Sequence, residues 1–177
     1  MQVTPAGFVR ALFVSALGVW TLRLATAPMP AVLESFLHLV NLPFHEAGHI
    51  IFAPFGDFMM SLGGSLNQVL IPLVCAGALY FQTRDPFGAL VCLWWAGENF
   101  VDLAPYIDDA RVLQLMLLGG PADEVEGHDW EHILESLGWL RFDHRLAHAA
   151  HLIGVVIMVT SLALAAWYLW RATPSES

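Results

Sequence analysis

Five apolar stretches constrain this chain more than any other feature, each close to the ~20 residues a helix needs to cross a hydrocarbon core. They run over 8–27, 32–55, 62–81, from 87 towards 109, and 149–170. No water satisfies backbone polar groups inside lipid, so such segments fold as helices. Composition agrees: 57% of the chain is hydrophobic and only 13% charged, against roughly 25% charged in a soluble domain. The expected fold is all-α, a polytopic membrane helix bundle of about five spans. It forms a single integral membrane domain over 1–177, with an acidic aqueous loop at about 119–145. Within that loop, 130–137 reads as one amphipathic helix with Asp129 as its N-cap. A further short helix is expected at 111–118. Pro43, inside the second stretch, should kink or interrupt its helix.

The formal charge is −9 and all seven basic residues are arginine, which argues against a nucleic-acid partner. Arg10 and Arg23 flank the first apolar run, so it reads as a retained span rather than a removed signal peptide. Trp167, Tyr168 and Trp170 form an interfacial belt at the end of the last span. Arg111, Arg141 and Arg145 lie on the side of the acidic loop, which points to a cytoplasmic loop by the positive-inside rule. Cys75 and Cys92 sit in apolar runs and read as packing residues.

Chemistry concentrates in the second stretch, at His45-Glu46-Ala47-Gly48-His49. Residues four apart share a helix face, so both histidines can reach one metal ion. Glu46, one position round, can reach a water on that metal. Ionisable residues at membrane depth are costly and mark function by default. The third stretch opens with Gly63-Gly64-Ser65-Leu66-Asn67, where two glycines allow close helix approach. The fourth ends in Glu98, Asn99, Asp102, Asp108 and Asp109, interleaved with apolar residues. Asp108 or Asp109 is a candidate third ligand, with Asn99 and Asp102 as groups supporting it. Alternating spans make the second and fourth parallel, which brings the pentad and Asp108 to one membrane face.

These elements together resemble the site-2 protease family of intramembrane zinc metalloproteases. The likeness covers a core of about 32–118: the pentad, then Gly63 to Asn67, then Asn99 with Pro105-Tyr106-Ile107-Asp108. It implies one Zn2+ per chain, held by His45, His49 and Asp108. Glu46 would be the base that activates water, and Asn67 would hold the substrate strand or the oxyanion. It also implies hydrolysis of peptide bonds in membrane-protein or peptide substrates within the bilayer. Asp109 stands where the family carries glycine, and the spacing from Asn99 is one residue longer, so Asp109 is an alternative ligand. The chain carries no PDZ-like domain and would be a minimal core.

Six histidines remain. His128 and His132 form a second H-x-x-x-H, and His144, His148 and His151 form a third box. Three boxes are the mark of membrane di-iron desaturases and hydroxylases, the main alternative reading. It gives no role to Glu46, Asn67 or Asp108. In an intermediate reading His128 or His132 is an extra ligand or gate. A non-catalytic, metal-binding relative of the protease is a further alternative. His38, two turns before His45, reads as a satisfied core polar residue.

Overall fold

The computed structural model describes residues 5–117, 120–121 and 128–172. The segment 122–127 of the acidic loop and the tail after Ala172 lie outside the described residues. Among the described residues six helices carry the fold: α1 (Pro5–Thr26), α2 (Phe36–Phe52), α3 (Asp57–Phe81), α4 (Pro86–Asp108), α5 (Asp129–Ser136) and α6 (Asp143–Ala172). Short 3-10 turns at Met29–Glu34, Ala53–Phe55 and Leu140–Phe142 join them.

Local chemistry sets the boundaries. The Ser35 hydroxyl accepts the Leu37 N–H at 3.2 Å and starts α2. Gly56, at φ +94, supplies the left-handed residue that turns α2 into α3. Helix α2 runs through Pro43 without the expected interruption. Proline removes one backbone bond there, and the close fit of α2 against α3 holds the remainder. Of the helix expected at 111–118, the described residues 111–117 form none. The Asp109 carboxylate instead accepts the N–H groups of Gln114 and Leu115, at 2.8 and 3.0 Å. That turn leads into β1 (Met116–Leu117), which pairs antiparallel with β2 (Gly120–Pro121). The cap of α5 is His128, not Asp129: its Nδ1 accepts the Glu131 N–H at 3.1 Å. Asp129 begins the helix and its carboxylate turns inward.

Two helix crossings depend on glycine. A Cβ on Gly48 would lie 2.1 Å from the Gly63 carbonyl oxygen, so α2 and α3 touch backbone to backbone. A Cβ on Gly154 would lie 2.5 Å from the Gly97 carbonyl oxygen, and α4 packs on α6 in the same way. Leu24, Val32, Trp94, Val101 and Met158 form the main apolar core. The second half of α4 is the most enclosed part of the molecule, with Glu98 and Asn99 fully buried.

Among the described residues, three helices are long and apolar enough to cross a membrane: Pro5–Thr26, Asp57–Phe81 and Leu140–Arg171. Large apolar residues such as Leu22, Val74 and Leu152 stand exposed on them, as lipid-facing positions would. The expected second and fourth spans, α2 and α4, do not meet that measure. At 17 residues, α2 spans about 25 Å at a rise of 1.5 Å per residue. Helix α4 carries Glu98, Asp102 and Asp108.

Candidate metal centre

The late part of α2, the start of α3, the end of α4 and the start of α5 meet at one end of the bundle. From α2 come His45 and His49, one turn apart, their rings edge-on with centroids 4.9 Å apart. Asp129 approaches from α5, and its Oδ2 lies 3.2 Å from Nε2 of each histidine. Among the described residues, this is the one group of three potential ligands close enough to hold a metal ion.

The fit to a metal can be tested on the geometry. Ligand atoms about 2.0–2.1 Å from a tetrahedral zinc are about 3.3 Å from one another. Both nitrogen–oxygen separations match that edge. The proton inventory agrees. His49 Nδ1 lies 2.9 Å from the Met60 carbonyl oxygen, which can only accept, so this nitrogen carries the hydrogen. A neutral His49 then turns the bare lone pair of Nε2 towards a carboxylate oxygen. Two acceptors at 3.2 Å repel unless a cation lies between them or the ring is doubly protonated. Two neutral imidazoles, a carboxylate and an open side suit a divalent cation.

The surroundings are shaped to this group. A Cβ on Gly64 would lie 2.6 Å from Nε2 of both His45 and His49, so only glycine leaves room for the two rings. Tyr106 anchors Asp129 twice: its hydroxyl accepts the Asp129 N–H at 2.9 Å and donates to Oδ2 at 3.2 Å. Trp130 Nε1 donates to Ser65 Oγ at 3.1 Å and seats α5 on α3. Burial alone would push the Asp129 carboxyl up, but the His45 and His49 rings beside it bring it below its ordinary value. Burial pushes His128 down, with Asp109 and Asp129 opposing. A cavity of about 500 Å³ opens beside the group. Leu33, Leu42, Leu103 and Leu115 form apolar walls, and Glu46 stands exposed at the rim.

The sequence-predicted residues divide. His45, Glu46 and His49 share the cavity. Asp108 points away, and its carboxylate pairs with His144 Nδ1 on α6. The reason is helical geometry: Tyr106 faces the site, and a residue two further on lies about 200° round the helix. Asp109 is spent on the turn after α4, with His128 Nε2 3.6 Å from its Oδ2. Asn67 donates to the Phe44 carbonyl at 2.7 Å and ties α3 to α2. Asn99 donates to the Trp95 carbonyl within its own helix. Asp102 accepts from His38, Asn41 and Gln68. His132 is exposed, and His151 lies 3.4 Å from the Leu24 carbonyl oxygen. Sequence reasoning missed Asp129, Tyr106, Gln68 and Gly64 as parts of the site. The available signal was an acid set between His128 and Trp130 in an otherwise solvated loop. Compared with models of known protein families, with curated proteins and with solved structures, the chain matches none.

Proposed function

We propose that this chain is a membrane-embedded, zinc-dependent peptidase of the site-2 protease type, with His45, His49 and Asp129 as ligands and Glu46 as general base. The observation that carries the reading is the pair of 3.2 Å separations from Asp129 Oδ2 to the two Nε2 atoms. Their size is that of a tetrahedral zinc edge. Bound there, zinc would supply an acidified water and an electrophile for the scissile carbonyl. Glu46 takes the proton of the attacking water and returns it to the leaving amine. The apolar walls of the cavity receive the side chains of an unwound substrate segment. Asn67, already donating to Phe44, has no part in holding the oxyanion in this reading. Tyr106 keeps Asp129 in place while the base works.

In the same reading the chain is multi-pass, with α4 packed between α3 and α6, α2 packed on α3, and the acidic loop on the cytoplasmic side. The test is hydrolysis by the full chain in proteoliposomes. Fluorescein-labelled casein and a panel of single-span membrane proteins serve as substrates. Cleavage by the wild type, abolished by a chelator and by Glu46→Gln, is the expected result. Wild-type rates in Glu46→Gln would remove the base from the mechanism and the peptidase reading with it.

A further inference from the structure

One ligand histidine is oriented by a carbonyl, but the other is oriented by an amide. His45 Nδ1 lies 3.0 Å from Gln68 Oε1. A glutamine amide has an accepting end and a donating end of nearly the same shape, so it could serve either tautomer of His45. What decides is the partner at its other end. Gln68 Nε2 donates to Asp102 Oδ2 at 2.7 Å. That same oxygen accepts from Asn41 Nδ2 at 3.1 Å, and Oδ1 faces His38 Nδ1 at 2.9 Å. Asp102, with both oxygens accepting, demands the donating end of Gln68. A flipped amide would set two oxygens 2.7 Å apart in the interior, where Gln68 and Asp102 are 2% and 3% exposed.

We propose that Gln68 and Asp102 are positioning residues for the metal centre. Asp102 selects which end of the Gln68 amide faces His45, and that end holds His45 with its hydrogen on Nδ1 and its Nε2 lone pair towards the ion. This inference deepens the metal reading, because it assigns the groups that set the donor atom of a ligand. It also accounts for two acids buried deep in α4: Asp102 fixes the amide, and Glu98 Oε2 accepts from Asn41 at 2.9 Å and steadies the Asn41 bond to Asp102. His38 becomes a third donor to the carboxylate rather than a ligand. The ordering chain crosses three helices, from α4 through α3 to α2, so the metal centre reports on how those helices are packed.

The experiment uses the full chain in detergent micelles, labelled with 15N-histidine. His45 is assigned by difference against His45→Gln. After chelator treatment, the wild type should still show a protonated Nδ1 at His45. A bare Nδ1 with hydrogen only on Nε2 would overturn the inference, because it requires the flipped amide. The second measurement is Co2+ affinity by chelator competition in wild type and Gln68→Met. The variant should bind 10- to 100-fold more weakly, and its His45 should populate both tautomers. Unchanged affinity together with an unchanged tautomer would overturn the positioning role. A wild type that binds no Co2+ would overturn the metal reading alone, and the nitrogen spectrum would still decide the role of Gln68. That spectrum needs no variant of Gln68, so a Gln68→Met chain that failed to fold would leave it decisive.

Discussion

Gly64 is as informative as the candidate ligands themselves, because of what a single methyl group would strike there. A methyl at 2.6 Å from both Nε2 atoms cannot be accommodated without moving the two donors. Gly64→Ala should therefore lower metal affinity at least 10-fold while leaving helix content unchanged, as metal titration beside circular dichroism would record. Glu46 makes the opposite prediction. It stands at the rim and is not among the close ligand group, so Glu46→Gln should keep the metal and the fold. Its hydrolysis rate should fall by about 10²–10⁴, the usual contribution of a general base. His45, Glu46 and His49 were legible from spacing alone, since a helix face is a local property. Asp129 was not, because its approach depends on α5 docking through Trp130 and Tyr106, contacts that join residues far apart in sequence. Asp108 stands apart from the group for the converse reason: proximity in sequence to Tyr106 does not survive the rotation of the helix.

At the scale of elements, α5 is a short helix that delivers one ligand to a bundle built by others. Its buried cap has a pH signature. His128 sits below its ordinary value of 6.5 because burial penalises the imidazolium. A depressed histidine favours the docked state above about 6.5, and that contribution fades as pH falls through the folded value. Amide protection along α5 in the chelator-treated protein, corrected for the intrinsic exchange rate, should therefore fall on acidification below about pH 6.5. His128→Asn keeps a capping acceptor and should remove most of that fall. An equal fall in the variant would assign it to other groups. The α4–α6 crossing makes a separate prediction. Gly154→Ala drives a methyl onto the Gly97 carbonyl and should destabilise the bundle by about 1–3 kcal/mol, read from denaturant unfolding in detergent. Helix positions followed from the apolar stretches, because burial in lipid or protein gives the same run of residues. The turn after α4 did not, since two backbone bonds to the Asp109 carboxylate outweigh the helical propensity of 111–117.

For the whole molecule, polar chemistry is gathered on α2, α4 and the inward face of α3, while the long apolar helices also expose large apolar side chains such as Leu22, Val74 and Leu152. On the proposed function, such a bundle should gain stability from a bound zinc ion. At a free zinc concentration 100 times its dissociation constant, linkage gives about 2.7 kcal/mol. The unfolding midpoint should rise accordingly in the wild type and stay fixed in Asp129→Ala. The most direct test of the account is the metal content of the detergent-purified chain in wild type, Asp129→Ala and Asp108→Ala. The account predicts one zinc per chain in the wild type, its retention in Asp108→Ala, and its loss in Asp129→Ala. Zinc retained without Asp129, or lost without Asp108, would contradict it.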